Sequence, residues 1–363
     1  MNSKVKNKVL WIEKNKAEIR EYPMPKPLPG WVLIKVMIAP ICIEHRVFET
    51  GFIEWHEDND MLGHEGVGEI CELGEGVTDF ALTDRVIIYQ GVACGYCWVC
   101  ENGLGSTHCM NLKGYKEMAE LYGSHSGIGG YSQYRLAPVN MLQRIPDEMS
   151  YKHASAANCL IGCTYTGIKE QNISSEHYCL VSGIGFIGHA TIVNLKHRGA
   201  KVIALGRNKQ RMEFAKQMGA DFIINPDDDN WLEQVKALTP QSRGVDFSFE
   251  CSGYPYYQRK CLDALRHYGT MTLLGYAAHE KDLKLELNTE WDLCWGHKQI
   301  TASFDVAFKD RLSLVEMLLE KPVQEKVDEM VTHQFPMSKA EEAFDLLINH
   351  KGCGCKVHLL PQE

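Results

Sequence analysis

The sequence has no excess of basic residues, and this absence bears on its binding partners. Its 363 residues include 38 Lys and Arg against 47 Asp and Glu, which gives a formal net charge of -9 at pH 7. Binding to a phosphate backbone or to an anionic lipid surface depends on many clustered cations. We therefore expect neither nucleic acid nor a membrane among the partners of this protein.

Long hydrophobic runs are also missing. No segment approaches the roughly 18 apolar residues of a membrane span, and the opening segment MNSKVKNKVLWIEKNK lacks the apolar core and cleavage site of a signal peptide. A cytoplasmic location is therefore expected. Because thiols stay reduced there, the 14 cysteines are not expected to form a disulfide framework, and clusters among them indicate metal or thiol chemistry.

No internal repeat or low-complexity tract marks a domain boundary, so the boundaries rest on changes of pattern. Residues 1–157 contain short β-rich runs separated by Gly, Pro and Asp, which predicts a β-dominated domain. Within residues 158–298, strand and helix patterns alternate, which predicts an α/β domain with a doubly wound parallel sheet. Residues 299–363 carry an amphipathic helix near residue 315 and a tail that we expect to return to the first domain.

Four cysteines form a cluster with the spacing of a metal site. Cys94, Cys97, Cys100 and Cys109 make the run C-x2-C-x2-C-x8-C. Four thiolates complete the coordination of a tetrahedral zinc and leave no position for substrate, so this set predicts a structural zinc. An iron–sulfur cluster is the alternative, because thiolate spacing alone does not select the metal. His108, next to the last cysteine, is interpreted as a bystander.

A glycine-rich turn predicts a dinucleotide site. Gly183, Gly185 and Gly188 form G-x-G-x-x-G directly after the apolar strand pattern YCLVS and directly before a helix pattern. Glycines at these positions permit a tight turn and let a pyrophosphate approach backbone N–H groups at the positive end of the helix. The order of strand, turn and helix makes a chance glycine turn the weaker explanation.

The end of the next strand pattern, KVIAL, bears on the choice of cofactor. An NAD site usually has Asp or Glu there to bind the ribose hydroxyls, whereas this chain has Gly206 and Arg207. A guanidinium can hold the 2′-phosphate of NADP through charge-assisted hydrogen bonds. The sequence therefore favours NADP(H) over NAD(H). Lys209 and Arg211 either assist or are solvated helix charges.

A second metal site is predicted from residues that are far apart in the chain. His64 and Glu65 lie in a glycine-rich turn, Cys42 follows the apolar strand pattern VLIKVMIAP, and Cys159 lies in ASAANCLIGC. One imidazole and two thiolates leave a zinc position open for water or substrate, which is typical of a catalytic site.

Taken together, these motifs resemble the zinc-dependent alcohol and polyol dehydrogenases of the medium-chain dehydrogenase/reductase family, over nearly the whole chain. The resemblance is carried by the pattern G-H-E-x-x-G-x5-G-x-x-V, the four-cysteine segment and the glycine turn, together with GGYSQY, FECSG and THQFPMSKAEEAF. It implies a GroES-like catalytic domain built from both ends of the chain, a Rossmann domain between them, and a homodimer or homotetramer.

The resemblance also implies roles for individual residues. Cys42, His64 and Cys159 correspond to the ligands of a catalytic zinc, and Glu65 to a nearby carboxylate or a temporary fourth ligand. Cys163, one helical turn after Cys159, is the alternative third ligand.

The loop after Cys42 departs from the family pattern. Family members usually have Ser or Thr two residues after this cysteine, as a proton relay, and Asp three residues after it, to orient the zinc-bound histidine. This chain has Glu44 and His45. We interpret Glu44 as the group that accepts the substrate proton, as a structural carboxylate paired with His45 or Arg46, or as a group that binds a polar substrate.

The sequence thus predicts two zinc ions per chain and hydride transfer between NADP(H) and an alcohol or carbonyl substrate. The expected substrate is a polar secondary alcohol of the polyol, amino alcohol or cyclitol type. A catalytically silent cofactor-binding member of the same fold is the alternative. Zinc-independent quinone or enoyl reductases of the family usually lack both cysteine sets and fit less well.

Overall fold

The chain divides into two units in a computed structural model that describes residues 6–53, 59–113, 117–118, 120, 129–277, 283–349 and 356–363. The first unit contains the described residues of Met1–Cys159, Val306–His350 and Cys355–Glu363. The second contains the described residues of Leu160–Asp305. Both ends of the chain therefore belong to one unit.

The first part of the first unit is mostly β-structure. Its strands are β1 (Lys6–Glu13), β2 (Lys16–Pro23), β3 (Trp31–Ile41), β4 (Gly66–Leu73), β5 (Arg85–Ile88), β6 (Tyr134–Pro138) and β7 (Leu142–Arg144). Among the described residues, the short helices α1 (His45–Thr50) and α2 (Trp98–Glu101) lie between these strands, and α3 (Tyr151–Ser155) follows β7.

The second unit alternates helices and strands. In chain order these are α4 (Gly162–Lys169), β8 (Tyr178–Ser182), α5 (Phe186–His197), β9 (Lys201–Leu205), α6 (Lys209–Gln217), β10 (Phe222–Ile224), α7 (Trp231–Ala237), β11 (Val245–Glu250), α8 (Pro255–Ala264), β12 (Leu265–Leu273) and β13 (Gln299–Ala302). A single π-helical turn, Thr289–Cys294, precedes β13.

The chain then returns to the first unit. The returning segment forms α9 (Arg311–Leu319), α10 (Lys321–Met330), β14 (Val331–Pro336), α11 (Ala340–Asn349) and β15 (Lys356–Leu360). β15 pairs antiparallel with β3, in the order β14-β15-β3-β4-β5-β7. The apolar side chains of β3, β4 and β5, among them Val32, Ile70 and Val86, form a core beneath this sheet.

The sheet of the second unit confirms the predicted α/β fold class. Its strands run in the order β10-β9-β8-β11-β12-β13, and every pair is parallel. The order reverses between β8 and β11, and ligands of such open sheets bind at the carboxyl ends of the strands at this switch point. The glycine turn lies there, because it follows β8 directly.

Two details differ from the sequence pattern. The pattern YYQRKCLDALRHYG predicts one helix through Gly269, but the helix α8 ends at Ala264 and LRHYG begins β12. The second unit also continues to Asp305, past residue 298, because β13 pairs with β12 as the last strand of the sheet. None of the helices in the described part of the chain has the length and hydrophobicity needed to cross a bilayer.

Candidate active site

Four potential ligands converge in the first unit. Cys42 follows β3, His64 and Glu65 directly precede β4, and Cys159 follows α3. One donor atom from each lies within 4.8 Å of the others, and His64 Nε2 is 3.1 Å from Cys159 Sγ. The sheet brings them together because antiparallel pairing of β3 with β4 places the end of one strand beside the start of the other. Cys163, on α4, is not a member of this group.

The donor set suits a divalent ion that accepts sulfur and nitrogen. Two thiols, an imidazole and a carboxylate are the ligand types that zinc takes in proteins. Glu65 Oε2 is buried, and among the described residues no group hydrogen-bonds to it. The two thiols and the imidazole fit the metal, and the Glu65 carboxylate lies beside them.

Glu44 is buried directly behind His64. Its Oε1 lies 2.5 Å from His64 Nδ1 and accepts a hydrogen bond of 3.1 Å from the His64 backbone N–H. Its Oε2 accepts hydrogen bonds from the Tyr131 hydroxyl, at 3.1 Å, and from the Cys42 N–H, at 3.3 Å. A proton on Nδ1 directs the free lone pair of the imidazole, on Nε2, toward Cys159.

As a structural carboxylate, Glu44 was expected to pair with His45 or Arg46, and this expectation was wrong. His45 Nδ1 lies 2.6 Å from the Cys42 carbonyl oxygen, and Arg46 pairs with Glu49 on the same helix. Helix α1 begins at His45, and both of these side chains contact partners other than Glu44. Glu44 therefore takes the place beside His64 that the family pattern assigns to an Asp one residue later.

Burial and neighbouring charges shift the pKa values of the group in different directions. A hydrogen bond from Cys159 lowers the pKa of the Cys42 thiol well below its usual value, against the effect of burial and with help from the positive charge of Lys356. Burial opposes ionisation of Glu44, but the nearby His64 lowers its pKa to about 2. Burial dominates at Glu65 and raises its pKa to about 7, although Lys356 acts in the opposite direction.

Lys356 is a site residue that the sequence reasoning missed. It begins β15, only 2% of its surface is exposed, and its Nζ lies 2.5 Å from Glu65 Oε1. The available signal was a lysine at the start of the mostly apolar strand KVHLL, because lysine is almost never fully buried unless it is paired. Its partner is 291 residues away in the chain, and only the pairing of β15 with β3 reveals it.

The four-cysteine segment also closes around one point. Cys94, Cys97, Cys100 and Cys109 have sulfur atoms within 4.8 Å of one another. Cys97 Sγ is 3.5 Å from Cys100 Sγ and 3.8 Å from Cys109 Sγ. Four sulfurs at about 2.3 Å from one zinc would lie roughly 3.8 Å apart, so the arrangement fits a tetrahedral ion. His108 stands outside this group and contacts Thr107.

The three glycines of the turn after β8 have different surroundings. Gly183 has φ +90°, a conformation that favours glycine. A Cβ at Gly188 would lie 2.2 Å from the carbonyl oxygen of Gly183, so only glycine lets α5 approach the strand. A Cβ at Gly185, which caps α5, would meet no atom within 4 Å. That open space is where a pyrophosphate would approach the helix N-terminus.

The end of β9 carries no acidic side chain, and any side chain there would require Ile184 to move. A Cβ at Gly206 would lie 2.0 Å from Ile184 Cδ1, and the residue is buried. Arg207 is more than half exposed, its guanidinium is 3.8 Å from Asp227 and it lies 5.7 Å from the ring centre of Tyr257. Lys209 and Arg211 lie in the first turn of α6, where Lys209 is exposed.

Comparisons with known proteins agree with this arrangement. Residues 28–147 match the family model of the alcohol dehydrogenase GroES-like domain, and residues 187–312 match that of the zinc-binding dehydrogenases. The chain is 31% identical to an L-threonine 3-dehydrogenase of Pyrococcus horikoshii, over 71% of this chain and 72% of that protein. It is 28% identical to an S-(hydroxymethyl)glutathione dehydrogenase of Synechocystis sp., over 94% of this chain and 96% of that protein.

A solved structure has the same fold. The crystal structure of a protein from Sinorhizobium meliloti, described as a zinc-binding dehydrogenase and bound to NADP, superposes with a TM-score of 0.79. The alignment covers 99% of this chain and 100% of that chain at 22% sequence identity. At this sequence identity the similarity shows a shared fold alone.

Proposed function

Since this chain belongs to the zinc-dependent alcohol dehydrogenases of the medium-chain dehydrogenase/reductase family, we propose that it transfers hydride between NADP(H) and a polar secondary alcohol or its carbonyl. The observation that carries the proposal is the convergence of Cys42, His64 and Cys159 on one point, beside an unsatisfied oxygen of Glu65.

We assign the catalytic metal to Cys42, His64 and Cys159. When bound there, zinc would supply a Lewis acid that lowers the pKa of an alcohol hydroxyl and orients it for hydride transfer to the nicotinamide. The protein supplies the rest: Glu44 fixes the tautomer and orientation of His64, and burial of the group limits access of bulk water.

We assign Glu44 to the positioning of His64 and not to proton transfer. Both of its oxygens already accept hydrogen bonds from protein groups, and the side chain has no exposed surface. An oxygen that accepts the substrate proton has to reach the substrate hydroxyl directly or through one water. The substrate proton is therefore expected to leave through a group other than Glu44.

The second zinc is proposed for Cys94, Cys97, Cys100 and Cys109, in a structural role. Four sulfur donors fill a tetrahedral shell and leave no position for a substrate. Membership in a zinc-dependent family favours zinc over an iron–sulfur cluster here.

NADP(H) is the proposed cofactor because of the residues after β9. Gly206 supplies no carboxylate to bind the ribose hydroxyls, and Arg207 offers an exposed guanidinium at the adjacent position.

The proposed substrate class is a small polar secondary alcohol, of the polyol, amino alcohol or cyclitol type. The P. horikoshii relative is named for a secondary alcohol that carries an amino group, L-threonine. We also propose that the protein is a homodimer or homotetramer, since closed symmetric assemblies are the commonest among soluble oligomers.

One experiment tests the proposal. The purified protein is assayed for zinc content and then for oxidation of a panel of alcohols, polyols and amino alcohols with NADP+ and with NAD+. We expect about two zinc ions per chain and a higher kcat/KM with NADP+. Clear superiority of NAD+ would overturn the cofactor assignment. One zinc per chain without turnover of any panel member would favour the catalytically silent alternative.

A further inference from the structure

Lys356 occupies an unusual position for a lysine, because it is buried beside the proposed metal ligands. Its Nζ lies 2.5 Å from Glu65 Oε1, and the two side chains have 2% and 0% of their surface exposed. A buried ion pair of this kind costs desolvation energy and is weak evidence for a role in stability alone. Its location at the active site calls for a functional explanation.

Glu65 is close enough to the ligand group to compete for the metal. Its Oε1 is 3.8 Å from His64 Nε2, and it contributes one of the atoms that lie within 4.8 Å of one another. Carboxylate oxygens are good zinc ligands, and a fourth protein ligand would fill the position that an alcohol needs. Something has to hold this carboxylate back if the site is to stay open.

Lys356 provides a competing partner for that carboxylate. A charge-assisted hydrogen bond between buried groups is stronger than one between neutral groups, and it fixes the position of Oε1. Lys356 itself is fixed by β15, whose neighbouring residues pair with β3 directly before Cys42. Two residues further along the strand, His358 is also buried, and burial together with the charge of Lys356 lowers its pKa to about 3, so it stays neutral.

We propose that Lys356 is a positioning residue that holds Glu65 away from the metal and so keeps the fourth coordination position available to substrate. This inference rests on the proposed function, in which Cys42, His64 and Cys159 bind the metal. Without the ammonium group, the metal becomes the nearest positive charge for Glu65, and the site closes.

The test uses the full-length protein with Co(II) in place of zinc, because the visible spectrum of Co(II) reports its ligands. Free imidazole serves as the probe of the open position. In Lys356→Met, we expect an altered Co(II) spectrum and an imidazole affinity about 10-fold to 100-fold weaker, the range for loss of one charge-assisted interaction. Lys356→Arg, which retains the charge, should remain near the wild type.

A second substitution separates positioning from general damage to the site. In Lys356→Met/Glu65→Gln the competing carboxylate is gone, so imidazole affinity should return to near the wild-type value. Should Lys356→Met fail to fold, Lys356→Gln replaces it, and Glu65→Gln in that background should again restore imidazole binding. An unchanged spectrum and unchanged imidazole affinity in the folded variant would overturn the inference.

The control for the proposed function is Cys42→Ser. If the wild type and Cys42→Ser bind the same amount of Co(II), the assignment of the metal site fails. If Cys42→Ser binds less Co(II) but the Co(II) of the wild type is insensitive to Lys356, only the inference about Lys356 fails.

Discussion

Glu44 occupies the position at which family members usually have Ser or Thr. In this protein Glu44 contacts the imidazole of His64, a contact that the family pattern gives to an Asp at the next position. One extra methylene lets a glutamate one position earlier reach the same nitrogen of His64, at 2.5 Å. His45 then turns toward the Cys42 carbonyl oxygen. The loop thus retains a carboxylate behind the histidine and gives up the hydroxyl of the relay.

Replacement of this carboxylate tests its role. Glu44→Gln should weaken metal binding about 10-fold to 100-fold, because the amide can donate to Nδ1 and no longer stabilises the required tautomer. Competition with a chelator measures the affinity. Glu49→Gln, on the same helix but paired with Arg46, is the matched control. Unchanged metal affinity together with loss of one limb of the pH profile of kcat would instead identify Glu44 as the base.

A second residue-scale prediction concerns Arg207. Arg207→Ala should raise the KM for NADP+ about 10-fold to 100-fold, the effect expected for loss of hydrogen bonds to a charged group. The KM for NAD+, which has no 2′-phosphate, should change little. Lys216→Ala, at an exposed position near the far end of α6, is the control. Equal effects on both cofactors would contradict a contact with the phosphate.

At the scale of elements, two glycines at the junction of β8 and α5 differ in their surroundings, and the sequence alone does not distinguish them. Gly188 is required by the protein itself, because a side chain there would collide with the carbonyl oxygen of Gly183. Gly185 borders open space. No contact within the described protein therefore requires glycine at position 185.

The two glycines should therefore respond differently to alanine. Gly188→Ala should destabilise the protein by about 1–3 kcal/mol, the usual cost of overpacking, and lower its Tm. Gly185→Ala, with φ -86°, should keep the wild-type Tm and weaken NADP+ binding by more than about tenfold, or 1.4 kcal/mol. Thermal unfolding and titration calorimetry measure the two effects, and equal Tm losses would contradict the distinction.

The four-cysteine segment is the other element whose chemistry is testable. Cys100→Ser should remove about one zinc per chain and lower the Tm, because three thiolates no longer complete the tetrahedral shell. The control is Cys71→Ser, since Cys71 is an exposed cysteine on β4 outside both ligand groups. Retention of full zinc content in Cys100→Ser would argue against a metal in this segment.

For the whole molecule, the sheet edge of the second unit combines two features of an interface. β13 is the last strand in the order of its sheet, and the preceding turn exposes Trp291 and Trp295, whose ring centres are 5.5 Å apart. Their exposed fractions are 59% and 67%. Exposed edges and large apolar patches are usually covered in soluble proteins, and a second copy of the chain can cover both.

If this edge carries the proposed oligomer, Trp291→Ser/Trp295→Ser should lower the mass measured by light scattering toward that of a monomer. The fold of each chain should persist, because these side chains contribute little to the core. Leu312→Ser, at an equally exposed apolar residue on α9, should leave the mass unchanged. An oligomer that survives the double substitution places the interface elsewhere.

The sequence by itself determined the fold class, the family, the order of strands and helices in the second unit, and the cysteine spacing. These follow from local properties: hydrophobic periodicity, glycine positions and ligands that are close in the chain. The sequence did not show where α8 ends or where the second unit ends. Both ends depend on the pairing of β12 with β13, which outweighs local helix propensity.

Only the tertiary structure decided which side chains face one another across the active site. The pairing of Glu44 with His64, and of Lys356 with Glu65, depends on contacts between residues 20 and 291 positions apart. Such contacts leave no periodic signal in the sequence, since they arise when β3, β4 and β15 join one sheet and bury charged groups that must then find partners.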